Sequence, residues 1–165
     1  MKVTRISKGF FINLTILLSI FTLDRLTKLY VIYLDNINNG SEILISKYLN
    51  IYLVWNKGVS FGLLSFDKLN AYNFLSLLIG CIILILIFML PKNYGLKKYA
   101  LLMIIGGAIG NLSDRITYNA VPDFIDFHIG NFHWFVFNVS DIFITIGVII
   151  VIVLELINKK KNDEI

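Results

Sequence analysis

The sequence predicts an α-helical polytopic membrane protein with four transmembrane helices, both termini cytoplasmic, and a small β-sheet on the outer face. Three observations predict it. Of the 165 residues 57% are hydrophobic, above the roughly 45–50% of a soluble domain. Four apolar runs are long enough to cross a hydrocarbon core, which takes about 20 residues. The lysines and arginines gather in short clusters at the ends of those runs. One domain is expected over residues 1–165.

The first span is expected over residues 9–30, interrupted late by Asp24, Arg25 and Lys28. It is too long for a cleavable signal peptide and lacks a small-residue cleavage site. The following segment contains a strand pattern, Asn50-Ile51-Tyr52-Leu53-Val54-Trp55. The second span, residues 71–90, carries no charge. Within it Leu78-Ile79-Gly80-Cys81 imitates a lipidation box, but mid-span the lone cysteine reads as a small hydrophobe.

The third span, residues 99–116, ends in Asp114-Arg115. Its Gly106-Gly107-Ala108-Ile109-Gly110 stretch suits close helix packing through small residues. Residues 124–129 and 132–137 flank Gly130-Asn131, the pattern of a β-hairpin. The fourth span, residues 139–157, contains Asp141 at its start and Glu155 near its end.

The basic clusters set the topology. Lys2, Arg5 and Lys8 precede the first span, Lys92, Lys97 and Lys98 separate the second from the third, and Lys159, Lys160 and Lys161 follow the fourth. With four spans all three clusters share one side, which the positive-inside rule makes cytoplasmic. The two strand-bearing loops then face outward.

Several function classes drop out. The lysines form no basic face interleaved with aromatics, so nucleic-acid binding is not expected. One cysteine cannot build a disulfide framework or a thiolate zinc site. His128 and His133 alone are too few for zinc, so no metal or other cofactor is expected. No serine has an evident His or Lys base. Ser140 reads as a helix N-cap.

Ionisable groups nevertheless converge near the outer interface. The first span brings Asp24, Thr27 and Lys28, the third brings Asn111, Asp114 and Arg115, and the fourth brings Asn138 and Asp141. Charges inside a membrane are costly and mark function by default. Asp24 and Lys28 have the i, i+4 spacing of a helical ion pair. Arg115 suits clamping a carbonyl or phosphate, or pairing with an aspartate. A transporter would place its carboxylates along a path near the midplane, whereas these lie at one interface.

Two facing aspartates share one proton. The ionised member can activate water while its partner donates to the leaving amine, giving amide hydrolysis without metal or covalent intermediate. Asp141 is one member. Its partner is Asp114, Asp123 or Asp126. Residues three apart on a strand face opposite ways, so Asp123 and Asp126 are not both expected in the site. Pro122 stiffens the approach to Asp123.

The motifs Asp24-x-x-Thr27-Lys28, Asn56-x-Gly58, Gly106 through Arg115, Val121-Pro122-Asp123-Phe124 and Phe137-Asn138-Val139-Ser140-Asp141 occur in this order. Together they resemble the bacterial lipoprotein signal peptidase family, signal peptidase II. The resemblance implies an aspartyl endopeptidase of the inner membrane, with its active site at the periplasmic interface. It would remove signal peptides from prolipoproteins by cutting before a diacylglyceryl-modified Cys, among membrane lipids and as a monomer. By the same motifs Asp123 and Asp141 would be catalytic, with Asp114 the rival for the second place. Asp24, Lys28, Asn56, Asn111, Arg115 and Asn138 would hold substrate or brace the pair. Pro122, Ser140 and Val59-Ser60 depart from the family's usual residues, which questions fine substrate fit rather than activity.

Overall fold

A computed structural model describes residues 8–58 and 69–163. Lys2, Arg5, Val59 and Ser60 lie outside the described residues. The elements run α1 (Lys8–Ile37), β1 (Ile43–Ser46), β2 (Leu49–Asn56), α2 (Leu69–Met89), a 3₁₀ turn (Leu90–Lys92), α3 (Gly95–Tyr118), β3 (Val121–Ile129), β4 (Phe132–Phe137) and α4 (Val139–Asp163).

The chain is mostly helical. Among the described residues three helices, α1, α2 and α4, are long and apolar enough to cross a membrane. α1 runs on past Tyr30 to Ile37 because its charges do not have to leave the helix. Asp24 and Lys28 are fully buried and pair with each other. Leu26, Phe74 and Ile149 are among the large apolar side chains that α1, α2 and α4 leave exposed.

α3 falls short of a membrane span by composition, since Lys97 and Lys98 open it and Asp114 and Arg115 lie near its end. It is the central helix, packed against α1, α2 and α4, with Ala100, Leu102 and Ile105 fully buried. A helix surrounded by protein needs less apolar surface than one facing lipid. Small residues allow the close packing. A Cβ at Gly107 would lie 2.6 Å from the Ser140 carbonyl oxygen, and one at Gly147 of α4 would lie 2.7 Å from that of Ala100. At the opposite end, Lys97 of α3 pairs with Glu155 of α4.

Among the described residues, four strands form one antiparallel sheet in the order β1-β2-β3-β4. The expected hairpin forms, with Gly130 at φ +60°, a left-handed conformation that glycine adopts without steric cost. β1 gave no signal in the sequence, and β3 begins at Val121, earlier than the apolar alternation suggested. Asn119 closes α3 in the left-handed conformation, φ 53°, its N–H donating to the Arg115 carbonyl. This turn sends the chain directly into β3. Val121 and Phe124 are both buried, and β3 also contacts α1 and α3. Phe127, Phe132 and Trp134 remain exposed.

Candidate active site

The start of α4 organises the site. Asn138 Oδ1 accepts the Asp141 N–H at 3.1 Å, and Asp141 Oδ2 accepts the Asn138 N–H at 3.1 Å. This reciprocal pair is a capping box, which satisfies backbone donors that a helix start leaves unpaired. The N-cap is therefore Asn138 and not Ser140, which sits inside the first turn. The Ser140 N–H donates instead to Asp24 Oδ1 of α1, at 2.9 Å. A carboxylate from another helix thus completes the cap.

Asn138 also reaches the sheet. Its Nδ2 donates to Asp123 Oδ1 at 2.6 Å, and Asn56 Nδ2 of β2 donates to Asp123 Oδ2 at 2.9 Å. One asparagine therefore touches both Asp123 and Asp141. Asp123 is 3% exposed. Burial, then the nearby Asp141 charge, push its carboxyl up to about 7 against the opposing hydrogen bonds from Asn56 and Asn138. Burial and a like charge both disfavour the ionised carboxylate.

A buried ionic cluster is linked to Asp141 through Asn111. Lys28 Nζ donates to Asp24 Oδ2 at 2.8 Å, Asn111 Oδ1 at 2.8 Å and Asp114 Oδ2 at 2.6 Å. An ammonium has three donors, and all are used. Asn111 Nδ2 in turn donates to Asp141 Oδ1 at 2.8 Å, so Lys28 holds Asp141 in place through Asn111. Arg25 pairs with Asp114 Oδ1 at 2.7 Å and donates to Ser113 Oγ at 2.5 Å. The two cations and two carboxylates of Arg25, Lys28, Asp24 and Asp114 balance, leaving Asp123 and Asp141 outside that neutral group.

The structure brings Asp24, Lys28, Asn56, Asn111, Asp123, Asn138 and Asp141 into one hydrogen-bonded network. Asp114 joins it through Lys28 and also pairs with Arg25. Arg115 stands apart: it donates to the Gly58 carbonyl at 2.6 Å and lies over the Tyr72 ring at 5.6 Å. Asp126 faces away, with His133 Nδ1 at 2.8 Å from its Oδ2. Sequence reasoning gave no role to Arg25 or Ser113. Arg25 follows Asp24 directly and on a helix faces elsewhere, so spacing alone offered no partner for it.

A cavity of roughly 370 Å³ lies between α2, α3 and α4. Leu75, Leu78 and Ile82 form its apolar wall, and Asn111, Arg115 and Asp141 its polar end. The arrangement offers an elongated apolar ligand a slot that terminates at ionisable groups.

A family model described as signal peptidase (SPase) II matches residues 16–157. The chain is 52% identical to a lipoprotein signal peptidase of Pelagibacter ubique (strain HTCC1062), covering 95% of this chain and 96% of that one. It is 40% identical to a lipoprotein signal peptidase of Anaplasma phagocytophilum (strain HZ), over 88% and 92% of the two chains. Among solved structures it is similar to a bacterial membrane enzyme determined by the in meso method at 2.3 Å resolution. That likeness has a TM-score of 0.73 and 29% identity, and covers 90% of each chain.

Proposed function

Because the chain belongs to the signal peptidase II family, we propose that Asp123 and Asp141 are its catalytic pair. The protein is a multi-pass membrane enzyme, an aspartic endopeptidase that removes signal peptides from prolipoproteins. The observation that carries the assignment of the pair is Asn138, whose amide and backbone bond to both carboxylates at once. Asp114, already engaged by Lys28 and Arg25, is left a structural part.

The scissile bond is the one preceding the diacylglyceryl-Cys. Asp141 lines the cavity and, ionised, takes a proton from the attacking water. Asp123, its carboxyl raised to about 7, retains a proton near neutrality and gives it to the leaving amine. One proton enters the pair and one leaves, so the pair returns to its starting charge. Asn56 and Asn138 orient Asp123, while Asn111, backed by Lys28 and Asp24, orients Asp141. Arg115, at the polar end of the cavity, is placed to meet a substrate carbonyl. The apolar wall of α2 suits the acyl chains or the signal helix.

α3 serves as the fourth span. Its 24 residues extend about 36 Å at 1.5 Å per residue, enough for the hydrocarbon core. The Lys97–Glu155 pair puts the start of α3 beside the end of α4, and the lysines there favour the cytoplasmic side. The site and its sheet then sit at the periplasmic interface of the inner membrane, with Phe132 and Trp134 at headgroup depth. Purified protein should cleave a diacylglyceryl-modified prolipoprotein and leave its unmodified form intact. Asp123→Asn and Asp141→Asn should each abolish cleavage while remaining folded in the membrane. Full activity in either variant removes that residue from the pair.

A further inference from the structure

His128 and His133 are direct partners across the β3–β4 hairpin, their rings stacked at 5.0 Å and 23°. The two histidines carry no metal signature in the sequence, but the fold adds a third group. Asp126 Oδ2 lies 2.8 Å from His133 Nδ1 and 3.6 Å from His128 Nδ1. One ligand atom from each of the three falls within 4.8 Å of the others. Ligands about 2.0–2.1 Å from a tetrahedral ion stand roughly 3.3 Å apart, and the two carboxylate–imidazole separations bracket that value.

The corner is also short of donors. Asp126 is fully buried, yet among the described residues its Oδ1 has no hydrogen-bond partner, and neither does the buried Nδ1 of His128. Asn50, the cross-strand partner of Asp126 on β2, likewise finds no partner for its buried Oδ1 among the described residues. Buried acceptors are costly without a donor or a cation. The local field is negative. The Tyr52 hydroxyl is pushed above its ordinary range, first by burial and then by the charges of Asp126 and Glu42.

We propose that Asp126, His128 and His133 bind a divalent transition-metal ion of the zinc class, through one carboxylate oxygen and two imidazole Nδ1 atoms, with water in the fourth position. Imidazole with carboxylate suits zinc and its transition-metal neighbours more than magnesium or calcium. Both Nδ1 lone pairs must face the ion, so the proton shared between His133 and Asp126 moves to the Nε2 of that ring. The ion clamps β3 to β4. It acts three residues from Asp123 on the same strand, and on the strand that leads to Asn138.

The test uses tag-free protein in detergent, stripped with a chelator and titrated with Co²⁺ as an optical probe, then with Zn²⁺ by calorimetry. The expected result is saturation near one equivalent, visible absorption of tetrahedral Co²⁺, displacement by Zn²⁺ but not by Mg²⁺, and a rise in the unfolding temperature. His128→Gln and His133→Gln should each weaken Zn²⁺ binding at least 10-fold, the lower end of the range for even indirect ligand loss. His133 is half exposed, so its variant folds, and circular dichroism confirms this. Absence of saturable binding overturns the proposal. So does wild-type Zn²⁺ affinity in both histidine variants, or displacement of Co²⁺ by Mg²⁺.

Discussion

Asp123→Asn should reverse its effect on stability with pH. The Asp123 carboxyl is raised from 3.8 to about 7 in the folded protein. At about 1.4 kcal/mol per unit this corresponds to roughly 4 kcal/mol. Between these two values the folded state holds a proton that the unfolded chain has released. Stability from this group is therefore complete below about pH 4 and lost as pH rises through about 7. Asparagine cannot ionise, so the variant loses this slope. It also turns an NH₂ group toward one of two donors, Asn56 Nδ2 or Asn138 Nδ2, at a cost of about 1–3 kcal/mol. The variant should be less stable than wild type by about 1–3 kcal/mol near pH 4 and more stable by a similar amount near pH 8. Reversible unfolding in mixed micelles, followed by circular dichroism across this range, gives the difference curve. Because Asp123 interacts with Asp141, that curve reports the pair. Parallel curves for the two proteins would refute the buried, proton-holding Asp123 on which its proposed acid role depends.

Asp141→Asn removes the second cause of that shift but not burial, the largest. The midpoint of the Asp123-dependent slope should move down and still stay above 3.8, as a pH series on the variant would read. Lys28→Met leaves Asp24 and Asp114 buried without their ammonium. A loss of about 3–5 kcal/mol is expected, measured by the same unfolding assay. Gly107→Ala forces a Cβ to 2.6 Å from a backbone oxygen, whereas Gly106→Ala meets the Ile20 side chain at 3.0 Å. The first should cost about 1–3 kcal/mol by overpacking and the second less. Asn138→Ala should lower kcat roughly 10²-fold or more with little change in KM, as removal of a preorganised donor does. Cleavage kinetics on a lipidated peptide would separate the two parameters.

The legible parts of the fold were those written in local pattern. The charge-free run of α2 and the Gly130-Asn131 turn need only neighbouring residues to be read. β1 and the early start of β3 depend on pairing with β2, which no local alternation announces. α1 continued past its expected end for a similar reason. A charge in an apolar run looks like a boundary until its partner is known, and the partners of Arg25 and Lys28 lie on α3. The same limit governed the site. Asp24 with Lys28 could be read from their spacing. The choice among Asp114, Asp123 and Asp126 turned on which groups each one meets across elements. Local pattern also misplaced the α4 cap, because a serine in the first turn resembles one until the Asn138–Asp141 exchange is seen.

That exchange links stability to chemistry in a way neither half of the sequence implies. Asp141 Oδ2 is tied to the helix start by the Asn138 N–H, and its Oδ1 to Asn111. A carboxylate held on both oxygens cannot rotate freely, so its orientation toward the cavity is set before substrate arrives. Preorganisation of this kind is where much of a catalytic site's advantage resides. It also constrains replacement. Glutamate at position 141 would move the carboxylate outward by one methylene, about 1.5 Å along the side chain. Either the capping bond or the alignment with Asp123 would be lost. Asp141→Glu should therefore fold and yet cleave poorly, and near-wild-type cleavage by that variant would show that the cap does not position the reacting carboxylate.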